Sequence, residues 1–133
     1  MSAGPGALPD DEMIRRFEDA TLPEDQFHHR QHVRVVWLLL RQARLAVAAD
    51  RFIEGLKRFA TSLGKPMLYH ETITWALILL IQERMARSPS PTFEEFAAAN
   101  PDLLTWPPSI LDRYYPRDIL GSELARRIFL MPG

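Results

Sequence analysis

The four histidines of this chain fall into two tight groups, His28-His29-x-x-His32 inside one apolar run and Tyr69-His70-Glu71-x-x-Thr74 at the start of another. Imidazole is the side chain best suited to bind a transition metal or move a proton near neutral pH, so two groups with no histidine elsewhere point to one shared site. On a helix, residues three and four apart face the same way, so His32 can share a ligand with His28 or with His29. His28 and His29 point about 100° apart, so only one of them can join it. His70 and Glu71, on a facing helix, are the natural source of further ligands, which would make three nitrogens, or two nitrogens and a carboxylate, with positions open to water and substrate.

A bland reading stands beside this one. Histidine at the amino end of a helix is often a surface residue or a cap, and that is the reading for His28. For His29, His32 and His70 together the shared site is preferred, because both groups open the most apolar segments of the chain and a buried unpaired imidazole is costly. Glu71, beside Ile73 and Trp75, must face solvent or find a cation, and Arg30, Arg34, Arg113, Arg117 and Arg126 are available. The segment Tyr69–Thr74 resembles half of the zincin pattern His-Glu-x-x-His, but Thr74 stands where the second histidine would be, so that peptidase chemistry does not carry over. Thr74 is expected to hydrogen-bond the helix backbone or orient the imidazole. Tyr114 is read as packing, whereas Tyr115 is equally compatible with packing and with a pocket role. Ser122 reads as an N-cap, Trp37 and Trp75 as core, and Arg126 as an anion clamp or a partner of Glu71.

The elements that must position these residues are all helical. Pro9-Asp10-Asp11 opens a first helix that ends near Ala20, and Leu22-Pro23-Glu24 turns into a second that carries the first histidine group to about Arg44. A third runs from about Ala46 to Leu63 and stops at Gly64. A fourth starts between Leu68 and Thr72, with His70 and Glu71 in its first turn, and continues to about Arg87, where Ser88-Pro89-Ser90-Pro91 breaks it. Thr92-Phe93-Glu94-Glu95 matches a capping box for a fifth, ending at Asn100-Pro101. One or two turns are expected within Ser109–Tyr114, and a last short helix over Ser122–Phe129. No segment alternates as a strand does, and no repeat or phosphate-binding loop is present. The expectation is a single all-α domain over 1–133, a bundle of about four main helices plus short C-terminal helices, with 1–9 disordered and 105–133 an irregular C-terminal cap.

Composition narrows the function classes. Of 133 residues, 47% are hydrophobic and 25% charged, as in soluble globular proteins. Lys plus Arg at 16 against Asp plus Glu at 17 leaves a net charge of -1 and no footprint for nucleic acid or an anionic membrane. The absence of cysteine removes disulfides, thiolate-bound zinc, iron-sulfur clusters and a cysteine nucleophile. The apolar runs fall short of the roughly 20 residues a bilayer requires. The N-terminus has no signal-peptide pattern, so a cytoplasmic location is expected.

Phe27-x-His29-x-x-His32-Val33, Tyr69-His70-Glu71-Thr72-x-Thr74, Tyr114-Tyr115 and Ser122-x-x-Ala125-Arg126 with Phe129 and Pro132 together resemble a family of small bacterial all-α proteins with no assigned reaction. The resemblance spans Phe27 to Pro132 and favours His29 over His28 as the partner of His32. It implies a site of His29, His32, His70 and Glu71 with Tyr69, Tyr115 and Arg126 nearby. The chain departs from the family at Met131-Pro132-Gly133, where an acidic, proline-containing tail is missing. The three-histidine DinB-like bundles are similar at the level of fold only, with another ligand order. The functional expectation is a metal-dependent enzyme acting on a small molecule, of hydrolase, isomerase or lyase type, with Zn, Fe or Mn on His29, His32, His70 and Glu71 and with Glu71 or a tyrosine moving a proton. The alternatives are a non-catalytic helical module that binds a ligand or a partner, a homodimer included, and metal-free acid/base catalysis by His70 and Glu71.

Overall fold

Helix α1 (Asp10–Glu18) follows Pro9 with three acidic residues in its first turn, where they complement the helix dipole, and it buries Met13, Ile14 and Phe17 along one face. These elements are seen in a computed structural model that describes residues 8–133. The disorder expected for 1–9 therefore lies, up to residue 7, outside the described residues. Helix α1 closes with Ala20 in the left-handed region at φ 57 and with the Thr21 N–H donating to the Arg16 carbonyl at 2.9 Å.

The second helix starts later than its punctuation suggests. Glu24–Gln26 makes one 3₁₀ turn, Phe27 leaves helical geometry at φ -131, and α2 runs over His29–Gln42 with His28 as its N-cap. Phe27 is the reason: its ring is buried against Phe17, His32 and Phe59, with centroids 5.4, 4.2 and 4.8 Å away, and a continuous helix could not place it there. Helix α3 (Leu45–Ser62) ends as expected, with Gly64 at φ 71 and the Lys65 N–H bonded to the Ala60 carbonyl. Helix α4 is Glu71–Arg87, so His70 is its N-cap rather than part of its first turn. The remainder is short: α5 (Phe93–Ala99), α6 (Pro101–Leu104), a 3₁₀ turn at Ile110–Arg113, α7 (Arg117–Leu120) and α8 (Glu123–Arg127). Thr92 forms half of its capping box, accepting from the Glu95 N–H, and Ser122 caps α8 by accepting from the Ala125 N–H. Helix α6 extends past the expected stop because Pro101 sits in its first turn, where a missing N–H costs nothing. The described residues contain helices and no strand, so the all-α class holds. None of the helices among them is long and apolar enough to cross a membrane.

Helix α2 is the axis. Val33 and Val35–Leu39 are all buried, which no single packing face can satisfy, and α1, α3, α4, α5 and α6 all pack against it. Arg34 interrupts that run and keeps its charge in contact with polar groups, donating to the Leu8 carbonyl at 2.6 Å and to Asp10 at 2.8 Å. The C-terminal segments are tied to α4 by two polar clusters. Arg84 grips Asp102 through both Nη atoms and also reaches Asn100, while Arg113 adds a third contact to Asp102, whose carboxyl these cations hold at about 2. Thr72, wholly buried, donates to the Ile128 carbonyl and accepts from the Leu130 N–H, clamping the tail across the start of α4.

Gly55 in the middle of α3 costs about 1 kcal/mol of helix stability against alanine. Its reason is steric, since a Cβ there would lie 2.6 Å from Cζ of Phe17, which is fully buried and stacked on Phe52. Overpacking in a filled core costs about 1–3 kcal/mol, more than alanine's propensity recovers. Gly55→Ala is therefore expected to lower the urea midpoint and Tm, and an unchanged or raised midpoint would show that α1 yields freely.

Candidate functional site

Helices α2, α3 and α4 meet without filling the space between them. They enclose a cavity of about 360 Å³. Its walls are apolar: Val33 and Val36 from α2, Phe52 and Phe59 from α3, Ile73 and Leu77 from α4. One end is deep, at Val36 and Ile81, both almost inaccessible, and the other opens at the exposed Glu24, His28 and Leu68. His32, Tyr69 and His70 also line the cavity.

The histidines divide by what their ring nitrogens do. His70 is fully engaged: Nδ1 accepts the Ile73 N–H at 3.1 Å as the cap of α4, and Nε2, which must then carry the proton, donates to the Leu120 carbonyl at 2.8 Å. No lone pair is left on that ring for a metal or a substrate proton. His29 donates from Nε2 to the Leu103 carbonyl at 2.7 Å and packs on Trp106, which turns it towards α6; burial pushes its pKa down, opposed by that hydrogen bond. His28, exposed, uses its backbone N–H to bond the Gln31 side chain and lies at the cavity mouth. His32 differs from all three. Its ring lies on Phe27, no hydrogen bond to it forms among the described residues, and no buried side-chain nitrogen there is left without a partner, so its nitrogens open onto the cavity. Burial first, then the neighbouring His29 and His28, hold its pKa down to about 4, so it is neutral at pH 7.

The remaining expected site residues are spread out. Glu71 finds a phenol rather than a cation: the Tyr69 hydroxyl donates to it at 2.5 Å, with Lys57 over the Tyr69 ring at 5.0 Å. Burial and that carboxylate push the Tyr69 pKa far up, so it is a fixed donor and no base at neutral pH. None of the five candidate arginines pairs with Glu71: Arg30, Arg34, Arg113 and Arg117 meet Glu94, Asp10, Asp102 and Asp112, and Arg126 donates to the Met67 carbonyl, holding the 3₁₀ turn at Pro66–Leu68. Tyr115 donates to the Leu130 carbonyl and borders a separate apolar hollow with Leu79 and Phe129, so it belongs to the tail's anchorage. Thr74 bonds the His70 carbonyl at 2.7 Å, the backbone option. His29, His32, His70 and Glu71 thus bracket α2 and α4 without converging, and among the described residues no three His, Asp or Glu side chains gather closely enough to hold a metal ion. The cavity itself is the feature that sequence reasoning missed. Its signal was the spacing Ile73, Leu77, Ile81 against Phe52, Leu56, Phe59 and Leu63, which reads equally as filled core.

His32 makes stability depend on pH. Its folded pKa of about 4 lies below the ordinary 6.5, so protons bind the unfolded chain first, and stability held above pH 6.5 is lost as the pH falls towards 4. That loss amounts to about 2–3 kcal/mol. Urea midpoints measured from pH 7 to pH 4.5 are expected to fall in the wild type and to fall markedly less in His32→Leu; parallel slopes in the two proteins would refute this role of His32.

Comparison with protein-family models, with curated proteins and with solved structures finds no match for this chain.

Proposed function

We propose that this protein binds a small, largely apolar molecule in the cavity between α2, α3 and α4, with His32 as its polar contact. The observation that carries the reading is the combination of an apolar cavity of about 360 Å³ with the neutral imidazole of His32, which has no hydrogen-bond partner among the described residues. Small-molecule sites have this character, a few hundred cubic ångströms of apolar wall with few convergent polar groups. The surrounding polar groups support it as well. His29, His70, Tyr69 and Arg126 hold the scaffold by hydrogen bonds to main-chain carbonyls or to Glu71, so that these side chains are already committed when a ligand arrives.

This reading takes the ligand-binding alternative ahead of metal-dependent catalysis, because His70 has both nitrogens engaged and His29 faces α6. One observation favours acid/base chemistry as a second reading: an unpartnered imidazole in an apolar pocket, held in its basic form at neutral pH, is also what a general base needs.

Titration with diphenylhexatriene, an uncharged rod-shaped fluorophore that brightens in apolar surroundings, tests the binding reading. Saturable binding of one molecule per chain is expected, weakened by about tenfold or more in Ala60→Leu and in Leu77→Phe, which fill the cavity while circular dichroism reports unchanged helicity. Absence of binding to the wild type, or equal binding by both filled variants, would contradict it.

A further inference from the structure

The shape and charge of the cavity restrict what can occupy it. Ile73, Leu77 and Ile81 lie at positions i, i+4 and i+8 of α4, so the cavity follows that helix for about 12 Å, and Phe52 to Leu63 line a comparable length of α3. A cavity lined lengthwise along two helices suits an extended alkyl chain better than a compact cage. The deep end, at Val36 and Ile81, offers no polar group.

Charge selects further. Among the described residues no lysine or arginine lines the cavity, and its one carboxylate is Glu24, at the open end and paired with Lys65 at 3.5 Å. A carboxylate or phosphate bound here would be desolvated with no cation to meet it, unless His32 took up a proton, which its surroundings oppose. An alkylammonium would in turn meet His32 and no internal carboxylate. A hydroxyl or carbonyl carries neither penalty, because neutral imidazole accepts at one nitrogen and donates from the other.

We propose that the ligand is an uncharged alkyl compound of medium chain length with a single terminal hydroxyl or carbonyl group, its polar end on His32 and its chain running along Ile73, Leu77 and Ile81 to the deep end. The assignment rests on the cavity being a ligand site. Tyr69, which also lines the cavity, does not compete for the polar end, since its hydroxyl is held by Glu71.

Displacement of bound diphenylhexatriene by decanol, decanoate and adamantanol at pH 8 separates head-group charge from shape, because all three carry ten carbons. Decanol is expected to displace the fluorophore at concentrations about tenfold or more below those of decanoate and adamantanol. His32→Leu is expected to weaken decanol about tenfold more than it changes diphenylhexatriene binding, and the loss is expected to be rescued in part by His32→Gln, which restores a hydrogen-bonding end. Decanoate or adamantanol binding as well as decanol, or decanol binding indifferent to His32→Leu, would overturn the assignment while the fluorophore still reports a working cavity. Failure of the wild type to bind the fluorophore at all would remove the site and this assignment with it.

Discussion

The structure depends on one constraint, that a helix apolar on every side has to be surrounded. Val33 and Val35–Leu39 of α2 are buried in succession, so partners must approach from all directions, and a chain of 133 residues supplies them by wrapping α1, α3 and α4 around the axis and closing the rest with α5 and α6. The two long helices α3 and α4 both pack on α2 but leave space where the three meet. The cavity is that space. Its bounds follow from where the rings fall: Phe27, drawn out of helical geometry, and Phe59 fill the region beside α1, and nothing of similar bulk comes from α4, which faces the cavity with Ile73, Leu77 and Ile81.

Polar chemistry in this fold is mostly structural. The buried rings and hydroxyls that a site would use are tied to main-chain carbonyls: His29 to Leu103, His70 to Leu120, Tyr115 to Leu130, Thr72 to Ile128. Each joins a segment of irregular C-terminal chain to one of the main helices or, for Tyr115, to the tail itself, and buried carbonyls without partners would cost about 1–3 kcal/mol apiece. A short chain whose last third lacks long helices satisfies its backbone in this way. What distinguishes His32 is that no such carbonyl among the described residues reaches it.

Much of the architecture was legible in the sequence, because it rests on local signals. The ends of α1, α3 and α4 follow from the acidic first turn, Gly64 and the Ser-Pro repeat, and the Ser122 cap from the physics of unsatisfied N–H groups. The start of α2 was not legible, since it depends on Phe27 reaching Phe17 and Phe59, contacts remote in sequence. Nor could spacing tell that His29 and His32, three residues apart, face α6 and the cavity respectively, because the rotation between them is enough to divide two environments. Grouped histidines marked the right region; their carbonyl partners, supplied by residues 74 positions away for His29 and 50 for His70, decided which of them is free.

The central claim is that His70 and His29 are locked by main-chain carbonyls while His32 presents a neutral, unpartnered imidazole to the cavity. Nitrogen-detected NMR of the histidine side chains over a pH titration tests it most directly, reading tautomer and ionisation ring by ring. The account predicts His70 and His29 as single Nε2–H tautomers and His32 still neutral at pH 5, with its resonances responding when the cavity is filled. A His32 that titrates near 6.5, or a His70 exchanging between tautomers, would contradict it.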